Sequence, residues 1–247
     1  MKNWIVCAVF SLLLHGVTLA SGGDVELKHV EINHDNKASL QRGAQLFNNY
    51  CLSCHSVKYM RYKRVMDDLE IPEEIMKKNL MFTSDKLEDL MIVAMPNDDA
   101  KRWFGKVPPD LSLSVRQRGE AWVYTYLVSF YQEEGSPTGV NNLVLKNASM
   151  PHVLAPLQGL QKAVFEEKPD ADGQVRHVFK RFELINKGEM TTEEYERAAK
   201  DLVNYMGYLA EPIRTERQSV GIWVMLFLAV LGIFTYLLKL EYWKDVH

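Results

Sequence analysis

Apolar positions are concentrated at the two ends of the chain and periodic in between. Lys2 is followed by an uncharged run from Asn3 to Leu14, then by Gly16 and the stretch Thr18-Leu19-Ala20. A basic start, a short apolar run and small residues before a cut read as an export signal, residues 1–20, cleaved after Ala20. The run is too short to cross a bilayer core. At the far end, positions 218–238 form 21 consecutive uncharged residues. With a rise of about 1.5 Å per residue they span roughly 31 Å, the thickness of the hydrocarbon. Arg214, Glu216 and Arg217 precede the run, and Lys239 and Glu241 follow it. This pattern predicts one membrane helix over 218–238. An exported N-terminus then places residues 21–217 outside the membrane and leaves a short tail, 239–247, inside.

Between the ends, two segments have helical spacing. Leu40, Gly43, Ala44 and Phe47 predict a helix with Ser39 as its N-cap. Thr191 and Glu194 make a capping box, with Met190 placed to staple against Tyr195. The helix that follows carries Ala198, Leu202, Tyr205, Met206 and Leu209, and Gly43 permits a close crossing between the two helices. A third pattern, Leu87, Leu90, Met91 and Ala94, predicts a helix ending at Met95-Pro96. Pro108-Pro109 and the segment from Pro151 to Pro156 read as ordered loops. The expected fold is mainly α, with long loop insertions and one C-terminal transmembrane helix.

Without the signal, the chain has 28 basic against 32 acidic residues, a balance of −4. That is not the basic surplus of a nucleic-acid binder. Cys7 leaves with the signal, so Cys51 and Cys54 remain. They stand in Cys51-Leu52-Ser53-Cys54-His55, the haem-attachment pattern C-x-x-C-H. Three cysteines and seven histidines in 247 residues produce this string by chance in about one chain in a thousand. Residues three apart lie on one side of a helical turn, so both sulfurs can reach one haem edge. His55 follows as the proximal iron ligand. A redox pair of the thioredoxin type would sit after a strand, and none is predicted before Cys51. A zinc site would need a second ligand pair.

A second axial ligand has three candidates, in the order Met150, Met95 and His152. Met150-Pro151 and Met95-Pro96 stand where a proline breaks a helix, whereas Met60, Met66, Met76, Met81, Met91 and Met206 read as core filler. A dihaem enzyme would need a second C-x-x-C-H. The acidic doublets Asp98-Asp99, Glu133-Glu134 and Glu166-Glu167 could steer a basic partner, although solvated surface is the simpler reading.

At this point the chain resembles the cytochrome c1 family. The resemblance rests on Cys51-Leu52-Ser53-Cys54-His55-Ser56 with Tyr59-Met60-Arg61-Tyr62, on Pro108-Pro109-Asp110-Leu111-Ser112 with Arg116 and Arg118, and on Pro137-Thr138-Gly139. Met150-Pro151, Ala210-Glu211-Pro212 and the C-terminal anchor complete it. Two places depart from the family's pattern: Trp103-Phe104-Gly105-Lys106-Val107, and Tyr208-Leu209 before Ala210. The resemblance implies one haem c attached through Cys51 and Cys54, with His55 and Met150 on the iron and Arg118 and Arg116 near a propionate. It also implies an electron-transfer subunit of the bacterial bc1 complex, not an enzyme on its own. The implied partners are cytochrome b, the Rieske iron–sulfur protein and a soluble or tethered periplasmic cytochrome c, within a dimeric complex at the inner membrane.

Overall fold

The computed structural model describes residues 25–169 and 175–244. The expected signal, 1–20, and the last residues of the tail lie outside the described residues. Helix α1 (Lys37–Tyr50) starts at Asn36, whose side chain accepts from the Ser39 backbone N–H at 3.1 Å. The cap is therefore Asn36 and not Ser39. Ser39 occupies the third helical position, where its hydroxyl donates to Asp201 Oδ1 at 2.6 Å. Strand β1 (Val57–Arg61) and helices α2 (Tyr62–Asp68) and α3 (Glu73–Asn79) follow.

The third helical pattern is not realised. Leu90–Met91 form strand β2, antiparallel to β1, and the next helix, α4 (Asn97–Phe104), begins only after Pro96. Gly105, at φ 74°, closes α4 in the left-handed region that favours glycine. Met95 thus lies in the connection between β2 and α4, half-buried. The other methionines pack as expected. Met60, Met76, Met81, Met91 and Met206 are buried, and Met66 packs against the core.

Helices α5 (Ser114–Arg118) and α6 (Glu120–Val128) lead into the hairpin of β3 (Phe130–Gln132) and β4 (Val140–Asn142). The short α7 (Ala155–Gln158) precedes a long antiparallel hairpin, β5 (Gly159–Pro169) and β6 (Val175–Lys187). This insertion is strand and not loop. Most of it is exposed, which leaves little apolar alternation to read in the sequence.

Helix α8 (Thr192–Ala210) opens with the capping box: Thr191 and Glu194 each accept from the other's backbone N–H. Tyr195 is buried and donates its hydroxyl to the Leu127 carbonyl at 2.8 Å, while Met190 packs on the same core. Helices α1 and α8 cross at Gly43. A Cβ there would lie 2.2 Å from the Asp201 carbonyl oxygen and 2.6 Å from Tyr205 Cβ. The crossing is reinforced by an edge-on contact of Phe47 with Tyr205 and by a two-point ion pair of Arg42 with Asp201.

Helix α9 (Arg214–Tyr242) runs 29 residues and buries none of them. Its apolar stretch has a mean hydropathy of 2.4. The lack of any buried residue separates it from a core helix, and its length and composition fit a single-pass transmembrane anchor.

Candidate haem site

The C-x-x-C-H string continues directly from α1. Cys51 N–H still bonds the Phe47 carbonyl at 2.8 Å, and Cys54 N–H and His55 N–H both return to the Cys51 carbonyl, at 3.0 and 2.9 Å. These bonds hold residues 51–55 in one tight turn. Both cysteines are free thiols, Cys51 buried and Cys54 partly exposed. Burial pushes the Cys51 thiol up to about 12, so it is protonated and not a thiolate.

His55 is buried, and its Nδ1 lies 2.7 Å from the Pro109 carbonyl oxygen. A carbonyl oxygen can only accept, so Nδ1 carries the proton and Nε2 keeps its lone pair. Burial also holds the imidazole below its ordinary pKa, partly opposed by the Pro109 bond and by Asp110. The neutral ring is the form that ligates a metal.

The loop that supplies this carbonyl is pinned to the motif. Asp110 Oδ2 accepts from Lys58 N–H at 2.9 Å and Oδ1 from Ser112 N–H at 3.0 Å. Leu111 N–H bonds the Ser56 carbonyl, and Ser112 Oγ accepts from Tyr59 N–H. Each member of Pro109-Asp110-Leu111-Ser112 therefore holds residues 55–59 in place. The sequence marks this stretch as an ordered loop, but nothing local to it names His55 as the group it serves.

Met150 is brought in by a second set of elements. Asn142 Nδ2 donates to the Tyr126 carbonyl at 2.8 Å, and its Oδ1 accepts from Val144 and Leu145 N–H. Asn141 Oδ1 accepts from Asn147 N–H at 2.8 Å, and Asn147 turns the chain at φ 59°. Asparagine tolerates that left-handed geometry. Two β4 asparagines thus order the 143–150 loop, a role sequence spacing does not reveal. Met150 is half-buried, and its Sδ accepts from the Tyr126 hydroxyl at 3.4 Å.

His152 stacks face to face on Phe130, with centroids 4.9 Å apart and ring planes 6° apart. Burial drives its pKa down to about 4, and its buried Nε2 has no hydrogen-bond partner among the described residues. Arg116 and Arg118, the last turn of α5, are both exposed, and neither has a carboxylate partner among the described residues. The Arg118 guanidinium lies 4.9 Å from the Trp122 ring.

The donor set fits a covalent haem: two free thiols on one turn, a neutral histidine with Nε2 unprotonated, a thioether on an ordered loop, and two cations unmatched by acid. One member of each acidic doublet is engaged within the chain. Asp99 pairs with Arg102, Glu166 with Lys168 and Lys180, and Glu133 with the Asn141 amide.

Residues 28–246 match the Cytochrome C1 family. The chain is 46% identical to cytochrome c1 of Allochromatium vinosum, over 98% of this chain and 99% of that protein. It is also 46% identical to a protein of Nitrosomonas europaea named ammonia monooxygenase gamma subunit, over 100% of this chain and 99% of that one. A cytochrome b/c1 of Bradyrhizobium diazoefficiens is 24% identical over 86% of this chain and 34% of its own length. With the family's match covering the haem motif, the loops that serve it and the apolar helix, the chain belongs to the cytochrome c1 family, whose members carry one covalently bound haem c and act as the electron-transfer subunit of the bc1 complex.

Proposed function

We propose that this chain takes single electrons from the Rieske iron–sulfur protein and passes them to a soluble or tethered cytochrome c in the periplasm. In this reading Cys51 and Cys54 would form the two thioethers, and His55 Nε2 and Met150 Sδ would hold the iron. The observation that carries it is the 2.7 Å bond between His55 Nδ1 and the Pro109 carbonyl, which fixes the histidine tautomer directly behind two free thiols. When bound, haem c supplies a one-electron iron couple with no open coordination position, which suits transfer and not catalysis on a bound molecule.

The remaining work falls to the chain. The 51–55 turn presents both sulfurs on one side. The Pro109–Ser112 loop holds the imidazole, and the Asn141 and Asn142 bonds hold the Met150 loop. Burial of Cys51 and His55 keeps water from that face. Arg116 and Arg118 would offset haem propionates, since a guanidinium fork suits carboxylate. Residues 1–20 act as the cleaved signal, 21–217 as the periplasmic body, 218–238 as the span and 239–247 as the inner tail. The span lies beside cytochrome b within a dimeric complex, a placement supported by the relative named cytochrome b/c1.

The test is purification of the detergent-solubilised complex with its subunits identified, followed by a quinol pulse. Cytochrome b and a Rieske protein should co-purify, and haem c should be reduced rapidly only while the Rieske protein is present. Recovery with monooxygenase subunits and without cytochrome b would refute the reading.

A further inference from the structure

The Tyr126 hydroxyl is an unusual donor, because the acceptor it has found is sulfur. Its oxygen lies 3.4 Å from Met150 Sδ, within the range of a bond to a thioether. The ring itself cannot swing freely. It stacks on Trp122, centroids 5.3 Å apart and planes 7° apart, and meets Phe130 edge-on at 5.0 Å. Its backbone carbonyl is held by Asn142, on the strand that begins the Met150 loop. Helix α6 and the loop that follows β4 therefore bring the oxygen and the sulfur together.

A thioether sulfur has two lone pairs, and a ligand uses one of them. We propose that Tyr126 is a positioning and tuning residue: its hydroxyl donates to the second lone pair of Met150, orients the sulfur toward the iron and raises the reduction potential. This rests on Met150 being the axial ligand. A proton shared with sulfur withdraws electron density from it. Ferric iron depends on that density more than ferrous iron does, so the bond favours the reduced state. Nothing at residue 126 is consumed or exchanged in the process.

Tyr126→Phe keeps the ring, its stack on Trp122 and its edge contact with Phe130, and removes one oxygen. Tyr124→Phe is the control, since Tyr124 is a buried tyrosine on the same helix with no bond to Met150. Both are made in the full-length, haem-loaded chain and titrated potentiometrically, with the far-red thioether-to-ferric band recorded. Tyr126→Phe should keep the band but shift its position. It should also lower the ferrous-to-ferric ratio at fixed ambient potential by about threefold to tenfold, the scale of one net hydrogen bond. Displacement of the sulfur from ferric haem by cyanide should slow, because the unshared sulfur donates more strongly. Tyr124→Phe should change none of these. An unshifted ratio in Tyr126→Phe, or an equal shift in both variants, would overturn the proposal while leaving the ligand in place. Absence of the far-red band from the unsubstituted protein would instead overturn the ligand assignment on which it rests.

Discussion

His55 Nδ1 and the Pro109 carbonyl oxygen, 54 positions apart in sequence, lie 2.7 Å apart in the fold. The bond is only as firm as the loop that offers the carbonyl, and Asp110 holds that loop through two backbone N–H groups. Asp110→Ala leaves both donors without their acceptor, a loss of about 1–3 kcal/mol. Asp110→Asn keeps one carbonyl-type oxygen and should lose less. Urea denaturation of the haem-loaded protein gives the comparison, and an Ala variant as stable as the parent would show that the loop holds by other means.

Gly43 tests the helix crossing. The Cβ of Gly43→Ala would meet backbone at Asp201, which cannot rotate aside, and the β-carbon of the buried Tyr205. Helices α1 and α8 must then part, at the upper end of the roughly 1–3 kcal/mol that overpacking costs. For a domain of this size each kcal/mol lowers the melting temperature by about 2–4 °C. A melting temperature within 1 °C of the parent, on the order of experimental error, would contradict the close crossing.

What the sequence made legible was local. Gly43, the Thr191–Glu194 box and the Cys51–His55 string announce themselves within a few residues, because a crossing, a cap and a haem turn each need particular residue types at short spacing. The failures share the opposite character. Four apolar residues ending at Met95 fit a helical period, yet Leu90 and Met91 are claimed by β1 and Pro96 starts the next helix. Strand β6 is almost wholly exposed and the outer half of β5 largely so, so the hairpin lacks the continuous buried face that alternation reports. Ser39 had the right chemistry for a cap, but the helix begins three residues earlier, where Asn36 accepts from the backbone N–H of Ser39 itself. The Pro109 carbonyl and the Tyr126 hydroxyl act on residues distant in sequence, and spacing carries no trace of either.

His34 predicts an acid-side loss of stability. Its Nε2 accepts from Arg214 at 2.7 Å, Glu120 lies 3.7 Å from the same nitrogen, and Asp35 adjoins it. Burial first, and then Arg214, lower its pKa from 6.5, outweighing the opposite pull of Glu120 and Asp35. The unfolded chain therefore binds the proton more readily than the folded one. The stability is fully present above the unfolded value of about 6.5 and is lost as pH falls through the folded value. His152 acts in the same direction, down to about 4. His34→Gln should accordingly flatten only part of the decline in urea midpoint between about pH 7.5 and about pH 5.5. An unchanged pH slope would show that His34 binds protons equally in the folded and unfolded states.

The sixth ligand is the assignment with real competitors, and the structure sharpens the contrast between them. Met150 sits on a loop ordered by Asn141 and Asn142 with its sulfur engaged by Tyr126, whereas Met95 is a half-buried residue in the connection ahead of α4. A thioether on ferric iron gives a weak far-red band and favours the ferrous state more than a second imidazole does. Met150→Leu should abolish the band, lower the potential and open the iron to carbon monoxide. Met95→Leu should keep all three properties and cost less than about 1.5 kcal/mol, because leucine nearly conserves volume. Met150→His should stay six-coordinate at a lower potential and slow electron acceptance. Retention of both the far-red band and the native potential in Met150→Leu would transfer the assignment to Met95. Loss of the band in Met150→Leu alone excludes Met95 and His152 together, since neither residue is touched by the change.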